Sequence, residues 1–160
     1  MLDLARRGLQ IAGTDINPEH LRRAAQYVAQ TGLAADLCPC EALTPHAFST
    51  VLLNNVLEYV QDQPALVRRI SRELLTPEAV VLLSIANPNH LVIRFAWIRA
   101  LLSSRRADEI GTSEPLRQIG IAEGIAWFEA EGFRVVKRRA GLLFVEHYAL
   151  LVREGSHVQR

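Results

Sequence analysis

Apolar positions recur along the chain at two alternating spacings, which predict strands and helices in turn. Residues 1–7 read as the end of a helix stopped by Gly8, a residue suited to a left-handed C-terminal cap. Residues 9–14, Leu-Gln-Ile-Ala-Gly-Thr, predict a short strand that delivers Asp15 at its end. Asn17 and Pro18 then serve as N-cap and first helical position. Leu21, Ala24, Ala25 and Val28 follow at helical spacing until Gly32 ends the segment. A weak strand is predicted over 33–38, before a loop that runs through Pro45.

The run 50–55, Thr-Val-Leu-Leu-Asn-Asn, is apolar on both faces and fits a central parallel strand. Asp62 and Pro64 open a helix with Leu66, Ile70 and Leu74 on its apolar face, and Pro77 closes it. The strongest strand signal lies over 80–85, followed by Ala-Asn-Pro-Asn at 86–89. Residues 91–102 are helical and apolar apart from Arg94 and Arg99, and 103–115 are polar and loop-like. A helix through Ile121, Ile125 and Phe128 ends at Gly132; residues 133–139 and 146–153 then read as two strands. Strand and helix alternate until this closing pair, so the fold class is α/β. The expected architecture is a Rossmann-like, mostly parallel sheet with helices on both faces and a C-terminal antiparallel strand pair.

Composition narrows the class. The chain has 160 residues, 49% hydrophobic and 22% charged, a globular mixture of single-domain size. Its net charge of +1 supplies no excess to drive nucleic-acid binding. Nowhere do about 18 apolar residues run together, so no membrane span is expected. The N-terminal residues carry charges where a signal peptide needs an apolar run. Cys38 and Cys40 stand one residue apart, a spacing that cannot staple a fold, and a reducing compartment such as the cytoplasm is the simpler reading. A zinc site needs about four ligands, and no second pair completes one, so no metal is expected.

Open α/β sheets bind ligands beyond the carboxyl ends of their strands. Three predicted strand ends carry polar residues: Asp15, the Asn54–Asn55 pair, and Asn87 with Asn89. A carboxylate in the position of Asp15 can accept two hydrogen bonds from a ribose diol. It fits equally well as the cap of a turn, since Asp, Asn and Pro all favour turns.

The run Ala12-Gly-Thr-Asp-Ile-Asn-Pro-Glu-His-Leu21 resembles the second-strand motif of class I S-adenosylmethionine-dependent methyltransferases. Glu41-Ala-Leu43 and Phe48-Ser-Thr-Val-Leu-Leu-Asn-Asn-Val-Leu-Glu-Tyr-Val60 are similar to that family's approach to its fourth strand and the helix beyond. The helix over 64–75, the strand over 80–85 with Pro88-Asn89, and Glu131-Gly-Phe-Arg-Val-Val136 continue the match, which covers residues 4–153. The resemblance implies an S-adenosylmethionine cofactor and a small-molecule acceptor, with the methylated atom (oxygen, nitrogen or carbon) open. It implies that Asp15 binds the ribose hydroxyls, that Ile16 packs on the adenine, and that Cys40 and Glu41 border the adenine edge. Asn54 and Asn55 would line the pocket near the methionine part, and Leu57, Glu58 and Tyr59 would face the acceptor.

The chain departs from the family pattern in three places. Cys38-Pro39-Cys40 stands where the family usually has an acidic residue, and Ser49 where it usually has Asp. None of the nine glycines forms Gly-x-Gly. The family's first strand and glycine-rich loop would precede the helix that ends at Gly8. The expectation is therefore a partial domain over 1–154 that is incomplete at its N-terminus, with a frayed tail over 155–160.

Methyl transfer is an in-line displacement that chiefly needs alignment, and a general base is optional. His90 is the best-placed candidate base, although a solvent-facing loop histidine is the weightier reading of it. The helix over 91–102 reads as a lid over an apolar acceptor, as an interfacial segment or, with most weight, as ordinary packing. Two other classes stay open. One is a non-catalytic, methyltransferase-like remnant that acts through protein contacts or has no function. The other is a nicotinamide-dependent dehydrogenase, against which the run from Glu41 to Glu58 speaks.

Overall fold

A computed structural model describes residues 2–15, 17–32, 34–39, 42–87, 89–90, 118–141 and 146–155. The chain divides into two compact units, 1–44 and 45–160.

The first unit holds helix α1 (Leu2–Arg6), strand β1 (Ala12–Gly13), helix α2 (Pro18–Thr31) and strand β2 (Asp36–Leu37). Strands β1 and β2 pair in parallel, Ala12 with Asp36 and Gly13 with Leu37, so α2 is the crossover of a βαβ unit. Both strands are shorter than their apolar runs predict. Their ladder closes with Asp36 N donating to Ile11 O (2.8 Å) and Cys38 N to Gly13 O (3.1 Å). Helix α2 begins and ends as its sequence dictates. Asn17 Oδ1 accepts from Glu19 N at 2.9 Å, Pro18 takes the first turn, and Gly32 (φ 66°) supplies the left-handed cap. Val28 is buried, Leu21 and Ala24 are half-buried, and Ala25 faces outward.

The second unit is built on a four-stranded sheet of β3 (Phe48–Asn54), β4 (Leu75–Ala86), β5 (Phe133–Ala140) and β6 (Glu146–Arg153). Its order is β3-β4-β6-β5. Strand β3 runs parallel to β4, while β6 is antiparallel to both β4 and β5, so one strand of the four is reversed. The two closing strands do form an antiparallel pair. Strand β6 enters the sheet beside β4 and leaves β5 at the edge. Its basic residues Arg134, Lys137, Arg138 and Arg139 are exposed, a pattern that discourages edge pairing.

Helix α3 (Gln63–Arg69) passes into a wide turn, Ile70–Leu74, and β4 starts at Leu75. The helix therefore ends before Pro77. That proline instead sits in an irregular stretch where the register jumps from Phe48–Leu75 to Thr50–Val80. A residue with no N–H is tolerated there because the ladder is already broken. Val136 occupies a second bulge, between the pairs Val135–Leu151 and Lys137–Leu150, and is exposed despite its apolar character.

Helix α4 (Ile121–Ala130) packs on β4, β5 and β6 and against α3. The core between them is Leu53, Leu57, Val67, Val81, Leu83, Ile85, Ile125, Phe128 and Leu151, all buried. Phe128 meets Phe133 edge to face at 5.6 Å, and the Arg153 guanidinium lies 4.9 Å from the Phe133 ring centre. Gly124 faces β4 closely, since a Cβ there would lie 2.8 Å from Ile85 Cδ1. Outside the core, Arg72 pairs with Glu131 at 2.7 Å and ties the turn after α3 to the end of α4. The segment over 91–102 and the tail over 156–160 lie outside the described residues.

Candidate functional site

Asp15 follows β1 immediately, and the start of α2 organises its carboxylate. Oδ1 accepts from Asn17 N at 2.8 Å, and Oδ2 lies 3.2 Å from His20 Nδ1. Asp15 therefore does cap the turn, the plainer of its two readings. Each carboxylate oxygen nevertheless has a second lone pair, and the side chain is 39% exposed. A carboxylate so fixed and so open can still accept from a pair of hydroxyls. The alternatives are compatible, because the cap orients the same group that a ribose diol would meet. Ile16, Cys40 and Glu41 lie outside the described residues. Among the described residues, no group of three or more His, Cys, Asp or Glu side chains could hold a metal ion.

In the second unit, the ends of three strands meet in a polar network. Ser84 Oγ donates to Asn54 Oδ1 at 2.7 Å, and Asn55 N donates to Ser84 O at 3.1 Å. Asn55 has φ 51°, a left-handed conformation uncommon for non-glycine residues and one that Asn tolerates better than most. Its Nδ2 donates to Glu146 Oε1 at 3.1 Å, and Glu146 Oε2 accepts from the Tyr148 hydroxyl. The Tyr148 hydroxyl and then the Asn55 amide hold the Glu146 carboxyl below its ordinary range. The same contact pushes the Tyr148 phenol up.

Glu58 sits behind this network in the 3-10 turn Leu57–Tyr59 and is only 5% exposed. Oε1 accepts from Ala86 N at 2.9 Å, whereas Oε2 is buried with no partner among the described residues. Burial raises the carboxyl above its ordinary range; backbone N–H donation from Ala86 opposes the rise and the charge of Glu146 adds to it. This corrects the expectation that Leu57 and Glu58 face an acceptor. Leu57 is fully buried in the core and Glu58 ties the turn to the end of β4, because a 3-10 turn rather than a helix follows Asn55. Tyr59 is 36% exposed.

His90 stands in the turn after β4, half-buried, with its N–H donating to Asn87 O at 3.0 Å. His46 has φ 53°, and its N–H donates to Glu73 O at 2.7 Å. That contact gives His46 a structural role.

The sequence reading missed His20, Ser84, Glu146 and Tyr148. His20 was legible in principle, as a polar residue one turn into the helix that Asp15 precedes. The other three become neighbours of Asn54 and Asn55 only through the register, which sets Ser84 opposite both Asn54 and Tyr148 and sets Ala86 opposite Glu146.

Comparison with known proteins gives this geometry a context. Residues 1–81 match the family described as "Methyltransferase domain". The ubiquinone biosynthesis O-methyltransferase of Psychrobacter cryohalolentis is 35% identical over 127 residues, covering 75% of this chain and 49% of the relative. The enzyme of the same name from Yersinia enterocolitica is 28% identical over 140 residues, covering 82% of this chain and 55% of the relative. The chain thus spans about half the length of the curated relatives it matches. Among solved structures, the magnesium protoporphyrin IX methyltransferase of Synechocystis, crystallised with bound SAH, superposes with a TM-score of 0.67 at 18% identity. That match covers 95% of this chain and 68% of the other. The [4+2]-cyclase SpnF gives 0.72 at 12% identity, covering 95% and 69%. At such identities the likeness shows the fold, a Rossmann-like α/β arrangement.

Proposed function

Because the chain belongs to the methyltransferase-domain family, we propose that it works in S-adenosylmethionine-dependent methyl transfer to a small-molecule acceptor. The observation that carries this reading is Asp15: a half-exposed carboxylate at a strand end, fixed by Asn17 and His20 and still able to accept from two hydroxyls. The donor fits this chemistry, because a ribose diol offers two donors to an acceptor-only group. Ile16, Cys40 and Glu41 are proposed for its adenine, and Asn54 and Asn55 for its methionine part.

When bound, the donor supplies a sulfonium methyl group, whose in-line displacement by an acceptor atom leaves a neutral thioether. The residues of this chain hold and align. Asp15 fixes the ribose, and Asn54 stands at the end of β3 with its carbonyl oxygen engaged by Ser84. The proposed acceptor atom is oxygen, on a ring hydroxyl of a ubiquinone-type precursor. The two bacterial relatives named for that O-methylation support this choice. His90, in the turn after β4, is proposed to take up the hydroxyl proton. The proposed compartment is the cytoplasm, which the close spacing of Cys38 and Cys40 supports, and no helix among the described residues is long and apolar enough to cross a membrane.

Incubation with methyl-labelled donor and a dihydroxylated aromatic acid tests the reading. Label recovered in a methyl ether supports it. Label recovered only in unreacted donor, across a panel of hydroxylated acceptors, contradicts it.

A further inference from the structure

Among the described site residues, Asn54 and Asn55 both have side chains held by distant parts of the chain, and Asn55 makes the longest such link. Its amide reaches Glu146, 91 positions later, at the start of the reversed strand. Three further observations show that this contact is built. Glu146 is itself gripped from behind by the Tyr148 hydroxyl, two residues along the same face of β6. The Tyr148 ring needs the room that Gly141 leaves, because a Cβ at position 141 would lie 2.9 Å from Tyr148 Cε2. Gly141 N in turn donates to Glu146 O, so the edge of β5 and the start of β6 close around the pair.

The register explains why this network sits where it does. Strand β6 is antiparallel to β4, so its first residues lie at the carboxyl end of β4, the end at which open α/β sheets bind ligands. Asn55 leaves the sheet there in a left-handed conformation, which Asn tolerates better than most residues and which its contacts here reinforce. Ser84 holds its backbone and Glu146 holds its side chain.

We infer that Glu146 and Tyr148 are positioning residues, which fix Asn55 in its left-handed conformation and through it shape the binding site for the methyl donor. This inference rests on the reading of Asn55 as a donor-lining residue. It assigns a function to the reversed strand: one residue of that strand braces the end of β3 from across β4. An Asn at position 55 contributes both tolerance of positive φ and an amide that Glu146 can hold.

Calorimetric titration of the protein with S-adenosylmethionine tests the inference. Glu146→Ala is expected to weaken donor binding about fivefold or more, the scale of coupling between linked sites. Glu146→Gln keeps an oxygen for the Asn55 amide and is expected to stay within about twofold of wild type, on the same scale. Asn55→Gly removes the braced side chain, and adding Glu146→Ala to it is expected to weaken binding no further. Tyr148→Phe keeps the ring against Gly141 and removes the grip on Glu146; it is expected to weaken binding in the same direction, and it carries the test if Glu146→Ala fails to fold. Wild-type affinity in Glu146→Ala, an effect that multiplies with that of Asn55→Gly, or a Glu146→Gln as weak as Glu146→Ala would overturn this inference alone. A wild-type protein that binds no donor would overturn the donor reading, and this inference with it.

Discussion

His20 Nδ1 lies 3.2 Å from Asp15 Oδ2, so the first turn of α2 supplies a side-chain partner to the carboxylate that ends β1. Both side chains are about two-fifths exposed, and exposed pairs contribute about 0–1 kcal/mol. His20→Ala is therefore expected to lower donor affinity by no more than about fivefold, the equivalent of roughly 1 kcal/mol. Titration of this variant beside Asp15→Ala separates the two roles. A His20→Ala as damaging as Asp15→Ala would make the histidine a binding residue itself.

The N-cap of α2 sets the same carboxylate from the other side. Asn17→Ala removes the acceptor for Glu19 N and is expected to cost about 1 kcal/mol. Asn17→Asp retains a capping oxygen and is expected to stay near wild type. Urea unfolding followed by circular dichroism measures both, and equal stability of the two variants would contradict the capping role.

These elements also show how much of the fold the sequence made legible. Asn17-Pro18 and Gly32 bound α2 because caps are local chemistry, written in adjacent residues. Helix α4 and strand β6 were legible from their own apolar spacing, and β5 from the apolar residues at its start in spite of the bulge at Val136. The network around Asn55 was not legible, since it depends on which strand lies beside β4 and in which register. Glu58 was expected to face an acceptor because nothing in its own stretch of sequence shows that the backbone N–H of Ala86, 28 residues on, meets its carboxylate.

Burial of Glu58 has a consequence for pH. Its carboxyl is raised in the folded protein, so folding favours the protonated form. The stability this group contributes is complete below its ordinary value of 4.5 and is lost as pH rises through the raised value. Glu58→Gln fixes the neutral form and is expected to flatten the fall in melting temperature between acid and neutral pH. Parallel pH profiles for the variant and the wild type would contradict this assignment.

Gly124 lets α4 approach β4 closely. A Cβ there would lie 2.8 Å from Ile85 Cδ1 and 3.0 Å from Leu83 Cδ2, both in the core. Gly124→Leu is expected to cost about 1–3 kcal/mol through overpacking, in spite of leucine's better helix propensity. A loss of that size lowers the melting temperature by roughly 2–12 °C for a chain of this length. An unchanged melting temperature would show that α4 can move away from the sheet without loss.

The central claim is that Asp15 anchors the ribose of the methyl donor. Calorimetric titration of wild-type protein and Asp15→Ala with S-adenosylmethionine addresses it most directly. Removing a charged acceptor from two hydrogen bonds is expected to raise the dissociation constant at least about tenfold, on the scale of 1.5–3 kcal/mol for a bond to a charged group. Equal affinity in the two proteins would contradict the claim.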